Sequence, residues 1–318
     1  MKHILILGNG AREEVIREKL DEDISVTTYV SSSTNFADIS AICNHCMIDI
    51  VIPSTEEYLC NGIADYLSER SPSLKVFGPT KEQARIEGSK LFSKKLMDEL
   101  GIPTPAFEYF ENPEEFDVND LDSKSYDKMV IKYSGLAQGK GVFLPKNGDE
   151  EGVKEITHKM LQSGNDGMLI EERLTGREVS VLAFCNGEEA CLMPPAQDYK
   201  RMYDGDTGPN TGGMGALCPS NVSADSMKEI KEHMDSVVKK LNYKGILYAG
   251  IMMVDMPAIG GDIARPYFLE FNCRFGDPEA QVILNLLDSP LLGIITACMS
   301  GEKVLANWKN DTVAVAVV

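Results

Sequence analysis

One stretch near the carboxyl end organises the sequence: Pro266-Tyr267-Phe268-Leu269-Glu270-Phe271-Asn272-Cys273-Arg274-Phe275-Gly276-Asp277-Pro278-Glu279. Its apolar and aromatic first half predicts a buried strand over 267–271. Side chains two residues apart on a strand point to one side, so Glu270, Asn272 and Arg274 share a face. A carboxylate and an amide oxygen suit a hard divalent cation such as Mg²⁺, and a guanidinium suits phosphate. A strand end with solvated polar residues has the same pattern, so the interpretation depends on phosphate-binding features elsewhere.

The composition is that of an acidic chain of ordinary hydrophobicity. It has 318 residues, 43% of them hydrophobic, and a net charge of -18. The length predicts two or three domains, and the charge argues against nonspecific nucleic-acid binding. We find no apolar run of membrane-spanning length and no signal peptide, so no membrane association is expected. Cys43 and Cys46 have the spacing of half a zinc site, but no second pair follows. Reduced thiols and a cytoplasmic location are therefore the expectation.

Residues 1–79 predict a Rossmann-like domain. A strand over Ile4–Leu7 runs into Gly8-Asn9-Gly10-Ala11-Arg12-Glu13-Glu14 and then a helix. Such a turn exposes backbone amides to an anion at a helix N-terminus. Because position 13 is Glu, the dinucleotide fingerprint is incomplete, whereas the phosphate of a smaller ligand remains possible. Further strands are predicted at 25–30, 47–52 and 74–77, with a helix at 56–67. This alternation implies a parallel sheet.

The middle of the chain predicts a segment that covers phosphates. Thr80 caps a helix over 81–100, and the stiff linker Ile102–Pro105 marks a subdomain boundary. A strand over 128–133 leads into the glycine-rich loop 134–141, after which strand character resumes. This pattern fits a flap over a nucleotide, although a plain hairpin turn shares it. It is not a Walker A loop, which needs Gly-Lys-Ser/Thr at the start of a helix.

A polar stretch over 197–215 is nearly free of aliphatic residues and cannot form a core. Long loops of this kind inside compact domains are usually functional, with disorder as the alternative. The elements around it are strands at 168–174 and 179–185, a hairpin turn at Asn186-Gly187, an amphipathic helix at 223–241 and a strand at 247–254. A polar loop at 256–265, a helix at 279–292 and a strand at 312–318 complete the prediction.

These landmarks, in this order, resemble the ATP-grasp fold, and the match extends to the phosphoribosylamine–glycine ligase family. The resemblance covers nearly all of the chain and rests on the runs 77–90, 131–142, 197–215 and 270–279. Asp206-Thr-Gly-Pro-Asn-Thr-Gly-Gly-Met-Gly215 and Glu270–Glu279 are its most specific parts. It implies an α/β and α+β fold, with the Rossmann-like domain (1–79) followed by an ATP-grasp domain (80–306). A nucleotide-covering subdomain would occupy about 103–176.

The resemblance implies an ATP-dependent carboxylate–amine ligase of purine biosynthesis. Glycine would attack the γ-phosphate of ATP, and 5-phosphoribosylamine would then displace phosphate from the glycyl phosphate to give glycinamide ribonucleotide. Phosphoryl transfer needs positioning and charge neutralisation rather than a covalent enzyme group. The four histidines form no Ser/His or Cys/His arrangement, which fits that chemistry. A ligase with another acceptor amine and a non-catalytic ATP-binding remnant are the alternatives. The complete set Lys90, Lys132, Glu270, Asn272 and Arg274 argues against the remnant.

The resemblance also implies a role for each site residue. ATP would be held by Lys90, Lys132, Gly135, Gly139, Gly141, Glu171, Glu172, Leu174 and Glu178. Mg²⁺ or Mn²⁺ would be held by Glu270 and Asn272, and the catalytic charges would come from Arg274 and Lys132. Glycine and 5-phosphoribosylamine would contact Asn9, Gly10, Arg12, Asp198, Lys200, Arg201, Asp204, Asp206, Asn210, Thr211, Gly212, Gly213 and Arg274.

The chain departs from the family in three places. The family's first loop reads Gly-Asn-Gly-Gly-Arg-Glu-His, and Ala11 and Glu14 replace its last Gly and His. A Gly-Pro-Glu loop of the family is replaced within Ile52–Glu57, so the acceptor amine is the least determined feature. We expect Ala11 to be helical, with Glu13 and Glu14 pointing away from a bound phosphate. Residues 307–318 would begin a C-terminal domain. A truncated sequence, a minimal natural form, and a split enzyme whose second chain supplies that domain are the alternatives.

Overall fold

The computed structural model describes residues 1–111, 116–117, 121, 123–135, 141–162, 167–205, 207–258 and 261–318. The chain divides into two compact units that alternate along the sequence. Unit 1 comprises Met1–Ala84, Glu178–Ile251 and Phe271–Val318, and unit 2 comprises Arg85–Arg177 and Met252–Glu270. The contiguous domain boundaries given above remain a prediction. Within these described ranges, no helix has both the length and the apolar character needed to cross a bilayer.

Unit 1 begins with the parallel sheet that the sequence predicts. Its strand order is β2-β1-β3-β4, with all neighbours parallel. The strands are β1 (Lys2–Leu7), β2 (Val26–Ser31), β3 (Ile50–Pro53) and β4 (Lys75–Val76), and the helices are α1 (Ala11–Asp21), α2 (Phe36–His45), α3 (Glu56–Cys60) and α4 (Ile63–Arg70). The single helix predicted over 56–67 is wrong, because Gly62, at φ +87°, separates α3 from α4. Only glycine adopts this left-handed conformation at little cost.

The helix predicted over 81–100 is also two helices, α5 (Lys81–Gly88) and α6 (Lys90–Glu99). Ser89 lies between them, and its hydroxyl accepts a hydrogen bond from the amide of Phe92 at 3.3 Å. Serine is favoured at this position because it satisfies one of the amides left free at a helix start. Helix α6 therefore begins at Lys90, the first predicted phosphate ligand.

Unit 2 contains an antiparallel sheet of order β5-β8-β6-β7. Its elements are β5 (Phe107–Phe110), a 3₁₀ helix (Ser123–Lys128), β6 (Met129–Tyr133), β7 (Val142–Phe143), α7 (Glu150–Gln162) and β8 (Met168–Glu172). Buried side chains from β6, β8 and α7 form its core, among them Ile131, Val153 and Met168. Strand β5 and helix α7 were not predicted.

The third sheet has the order β10-β9-β15-β16. Its strands are β9 (Arg177–Asn186), β10 (Ala190–Leu192), β15 (Lys244–Ala258) and β16 (Gly261–Asn272). The hairpin at Asn186-Gly187 is confirmed by the antiparallel pairing of β9 with β10. The polar loop predicted at 256–265 is wrong, since β15 and β16 continue through most of it. The amphipathic helix is confirmed as α8 (Ala224–Leu241), with Ser223 as its N-cap.

The polar stretch 197–215 is more regular than predicted. It contains β11 (Gln197–Asp198), β12 (Arg201–Tyr203) and β13 (Thr207–Asn210), and β14 (Gly215–Cys218) follows. β12 and β13 form a hairpin, while β14 pairs with β11 and with the terminal strand β17 (Ala314–Val317), which confirms the last predicted strand. The helix predicted over 279–292 is instead α9 (Glu279–Ile283), a 3₁₀ turn (Leu284–Leu286) and α10 (Leu291–Ser300). Helices α1, α9 and α10 contribute to the main core of unit 1.

Candidate active site

Two lysines of unit 2 contact one buried carboxylate, and a third lies near enough to interact with it electrostatically. Helix α6 places Lys90 and Lys94 one turn apart on the same side. In the β6–β8 register Val130 faces Glu171, so Lys132 lies diagonally across from that residue. The Nζ atoms of Lys132 and Lys94 lie 2.8 Å and 3.2 Å from Glu171 Oε2. We call Lys90, Lys94, Lys132 and Glu171 the lysine cluster.

The lysine cluster is largely withdrawn from solvent. Lys94 and Glu171 are each 2% exposed and Lys132 is 7% exposed. Burial lowers the pKa of Lys94 to about 8, although the neighbouring Glu171 opposes that shift. Burial also lowers the pKa of Lys90, against the opposing charge of Glu270. Sequence reasoning missed Lys94, and its spacing of four residues from Lys90 on a helix is the signal that could have found it.

The start of α6 is tied to the start of the predicted flap. The amide of Lys90 donates to Ser134 O at 2.9 Å, and Lys90 Nζ donates to Gly135 O at 3.3 Å. On the other side, the amide of Tyr133 donates to Gly141 O at 2.8 Å. Residues 136–140, including Gly139, lie outside the described residues, so the closing flap stays a prediction.

The predicted adenine and ribose residues differ in burial and belong to different units. Glu171 is buried in the lysine cluster, whereas Glu172 is exposed and Leu174 is half-buried. Glu178 belongs to unit 1, where its Oε2 lies 3.4 Å from Lys200 Nζ. Its predicted contact with ribose remains a prediction.

Lys200 joins Glu178 to Asp198 in unit 1. Its Nζ lies 3.6 Å from Asp198 Oδ2, and the Asp198 side chain is only 6% exposed. Burial raises the pKa of Asp198 to about 6; Lys200 opposes the shift, and the carboxylates of Glu279 and Glu178 add to it. A carboxyl group with this pKa can accept a proton near neutral pH.

A buried polar triad formed by Ser180, Tyr248 and Glu279 was not predicted. Tyr248 Oη donates to Glu279 Oε1 at 2.6 Å, and Ser180 Oγ donates to the same oxygen at 2.9 Å. Burial, reinforced by the charge of Glu279, raises the pKa of Tyr248 well above its usual value. Glu279 opens α9 at the end of the quoted run, so the triad fixes the segment that follows Asn272 and Arg274 to strands β9 and β15.

The first turn differs from its prediction in one side chain. Ala11 begins α1, as expected, and Glu14 points away and pairs with Arg17. The expectation for Glu13 is wrong: its Oε2 accepts from the Gly10 amide at 2.6 Å and its Oε1 from Arg12 Nε at 2.8 Å. A buried carboxylate at a helix start is stabilised there by the free amides and the adjacent guanidinium.

Two predicted anion ligands of unit 1, far apart in sequence, meet at one carbonyl oxygen. Arg12 Nη1 and Arg274 Nη1 donate to Phe275 O at 3.1 Å and 3.3 Å. Arg274 Nε also lies 3.2 Å from Glu56 Oε2. Burial raises the pKa of Glu56, but the charges of Arg274 and Arg12 outweigh that effect and hold it below its usual value. Asn9 and Gly10, which precede Arg12 in the chain, are exposed.

The remaining predicted substrate residues lie on the β12–β13 hairpin and the loop after it. Arg201 Nη1 donates to Gly208 O at 2.7 Å, and Thr211 Oγ1 donates to Lys200 O at 2.9 Å. These contacts shape the hairpin itself. Asp204, Asn210 and Gly212 are exposed, Gly213 is half-buried, and Asp206 lies outside the described residues.

The predicted metal ligands lie at the end of β16. Glu270 is half-buried and Asn272 is buried, and their spacing of two places them on one side of the strand. Among the residues that the structure describes, no three or more His, Cys, Asp or Glu side chains form a metal-binding group. Two hard oxygen donors fit Mg²⁺, which commonly takes its other ligands from water and substrate phosphates. They do not fit a cation enclosed entirely by protein.

Comparison with known proteins identifies the fold and the family. The protein-family model described as "Phosphoribosylglycinamide synthetase, N domain" matches residues 2–87. The family model described as "Phosphoribosylglycinamide synthetase, ATP-grasp (A) domain" matches residues 88–280. A crystal structure of phosphoribosylamine–glycine ligase from Thermotoga maritima has a TM-score of 0.79 and 32% identity, and the match covers 99% of this chain and 79% of that one. The predicted order of a Rossmann-like domain followed by an ATP-grasp domain is thus confirmed.

Two curated relatives agree with this assignment. The trifunctional purine biosynthetic protein adenosine-3 of Homo sapiens is 38% identical over 99% of this chain, which spans 33% of that protein. The phosphoribosylamine–glycine ligase of Thermotoga maritima is 40% identical over 80% of this chain and 61% of its own length. With both family models matched in order, the chain belongs to the phosphoribosylglycinamide synthetase family, whose other name is phosphoribosylamine–glycine ligase.

Proposed function

We propose that the protein is an ATP-dependent ligase that joins glycine to 5-phosphoribosylamine, giving glycinamide ribonucleotide, ADP and phosphate in the cytoplasm. The observation that carries the proposal is the lysine cluster. In a chain with a net charge of -18, unit 2 places Lys94 and Lys132 against the carboxylate of Glu171, and Lys90 within electrostatic reach of it. Gathering positive charge against such a background is what an anionic nucleotide requires.

In the first step the carboxylate of glycine attacks the γ-phosphorus of ATP, and the bond to the bridging oxygen of ADP breaks. Lys90 and Lys132 would hold the phosphates, and Arg274 would offset the charge of the transferring group. Glu270 and Asn272 would hold Mg²⁺ or Mn²⁺, which when bound neutralises phosphate oxygens. Closure of 134–141 would protect the glycyl phosphate from water.

In the second step the amine nitrogen attacks the carbonyl carbon of glycyl phosphate, phosphate leaves, and the nitrogen loses a proton. We assign Asp198 as the acceptor of that proton. Its buried carboxyl has a pKa of about 6, and the adjacent Lys200 limits how far that pKa rises. Arg12 and the amides of the first turn would hold the ribose phosphate.

A ligase with a different acceptor amine is the second candidate, and the position of Glu13 favours it. Its carboxylate already accepts from the Gly10 amide, so a phosphate at this turn would have one amide fewer. The family's loop also has Glu at this place, however, and Arg12 remains beside it. We therefore retain 5-phosphoribosylamine as the acceptor.

The test is ATP turnover by the purified protein with Mg²⁺ and glycine, followed by phosphate release across a panel of amines. We expect release to need glycine and to be fastest with 5-phosphoribosylamine, with glycinamide ribonucleotide as the product. Faster release with an amine that lacks a phosphate would favour the second candidate. Nucleotide binding without turnover for any amine would instead indicate a non-catalytic protein.

A further inference from the structure

The two carboxylate oxygens of Glu171 have different surroundings. Its Oε2 lies within 3.2 Å of both Lys94 Nζ and Lys132 Nζ. Its Oε1 is buried and has no hydrogen-bond partner among the described residues. Two ammonium groups that bind the same carboxylate oxygen lie closer to each other than two that bind separate oxygens. Their positive charges are therefore concentrated in one place.

Lys94 contributes positive charge to the lysine cluster although its own side chain is shielded from solvent. It is 2% exposed, and its ammonium group also donates to Thr104 Oγ1. Thr104 in turn donates to Phe268 O at 2.8 Å, on β16 two residues before Glu270. Lys94 is therefore held between Glu171 on β8 and, through Thr104, Phe268 on β16, and it is less exposed than Lys132.

The charges do not cancel. Two ammonium groups and one carboxylate leave one net positive charge on Lys94, Lys132 and Glu171 taken together. If Lys94 were absent, Glu171 would neutralise Lys132, the lysine predicted to meet phosphate. The attraction of an anion to such a pair is much weaker than to a single uncompensated ammonium.

We propose that Lys94 is a positioning residue that offsets the charge of Glu171, so that Lys132 is held in place by Glu171 while keeping its positive charge for a polyphosphate. This inference deepens the proposed function and rests on it. Lys94 itself does not touch the ligand; it acts through Glu171 and Lys132.

The experiment measures the dissociation constant of Mg²⁺–tripolyphosphate, which has no base, by calorimetry. The K94M variant should bind it about fivefold or more weakly than the wild type, because the net charge falls to zero. The double variant K94M/E171Q restores one net positive charge, and its affinity should return to within about threefold of the wild type. A merely structural role for Lys94 would make the double variant no better than K94M.

A pH series gives a second measurement on the same variants. Lys94 interacts electrostatically with Lys132 on β6, Glu171 on β8 and Glu270 on β16, and Lys90 lies one turn before it on its own helix. Since Lys94 has a pKa of about 8, the ratio of the K94M to the wild-type dissociation constant should fall toward one as the pH passes from about 7 to about 9. Titration of Lys90 affects both proteins and leaves this ratio largely unchanged.

The controls separate charge from folding. K95M removes the exposed neighbouring lysine of α6 and should bind as the wild type does. If K94M fails to fold, K94Q takes its place, because glutamine also removes the charge and keeps a polar group beside Glu171 and Thr104. No recovery in the double variant, K94M/E171Q or K94Q/E171Q, overturns the inference. If the wild type binds Mg²⁺–tripolyphosphate but shows no glycine-dependent turnover, the proposed function fails while the inference stands.

Discussion

The carboxyl group of Asp198 is ionised at neutral pH in surroundings that oppose its charge. Burial raises its pKa from 3.8 to about 6. A carboxyl whose pKa is higher in the folded state binds more protons there, so stability falls as the pH rises from about 4 to about 6. D198N should remove that dependence and stabilise the protein by on the order of 1–3 kcal/mol above pH 6, with the difference vanishing near pH 4.

Urea unfolding of the wild type and D198N at several pH values measures this difference. D204N, which changes an exposed carboxylate of the neighbouring hairpin, is the matched control and should show no such trend. A D198N effect that is the same at every pH would show that Asp198 ionises normally. If Asp198 also accepts the amine proton, D198N should lower kcat and remove the acidic limb of its pH profile.

Lys132 combines an ion pair with a predicted contact to ATP. Because a charge-assisted contact is worth roughly 1.5–3 kcal/mol, K132M should weaken ATP binding about tenfold or more. The control is K128M, which removes an exposed lysine just before the same strand. Isothermal titration with both variants, after circular dichroism has shown them folded, checks this. Equal ATP affinity in K132M and the wild type would make Lys132 a structural partner of Glu171 only.

The side chains differ in how far the sequence could predict them. Gly10 and Glu13 have the spacing of a capping box, so the contact of Glu13 with the Gly10 amide was available from local rules. The expectation that Glu13 points away from the turn does not use this rule, and it is wrong. By contrast, the meeting of Arg12 with Phe275 joins positions 263 residues apart, and no local pattern specifies it.

Helix α6 supplies both Lys90 and Lys94, so its N-terminus matters to the lysine cluster. The hydroxyl of Ser89 caps the helix, and S89A should destabilise the protein by roughly 0.5–2 kcal/mol. S93A makes the same chemical change in the same helix. The Ser93 hydroxyl is buried and has no hydrogen-bond partner in the described part of the chain, so S93A should be neutral or slightly stabilising.

Thermal or urea unfolding of S89A and S93A compares the two changes directly. A loss of stability in S93A equal to that in S89A would mean that the capping bond contributes little.

The break before α6 could be predicted from Gly88-Ser89, a glycine followed by an N-cap residue. The extension of β15 and β16 was not, because Pro257 and Gly260-Gly261 are typical of loops and only pairing within the sheet overrides that preference.

The sequence pattern predicted the overall architecture better than it predicted the individual contacts between side chains. Alternating apolar strands and helices at 1–79 specify a parallel sheet, because crossover connections leave few alternatives. The alternation of the two units along the chain could not be predicted in the same way. Residues 252–270 belong to unit 2, although the preceding residues 178–251 belong to unit 1. This assignment depends on tertiary packing and not on a local pattern.

Nucleotide and metal should stabilise the whole protein together. Binding to the folded state alone adds RT ln(1 + [L]/Kd), about 2.7 kcal/mol at a ligand concentration of one hundred times Kd. ATP should therefore raise the melting temperature by several degrees with Mg²⁺ present and by less without it. E270A should fold with a near-normal melting temperature in the absence of ligands but lose the increment that Mg²⁺ adds, because Glu270 is the charged member of the predicted metal ligands.

E155A removes one exposed carboxylate from α7 and is the control for net charge. It should keep the full response to Mg²⁺ and ATP, since Glu155 lies in no predicted site. The comparison is a thermal-shift series of the wild type, E270A and E155A with ATP, Mg²⁺ or both. A magnesium increment that survives in E270A would place the metal on other ligands. If E155A loses the response to Mg²⁺ to the same extent as E270A, the effect comes from overall charge, since both variants remove one carboxylate.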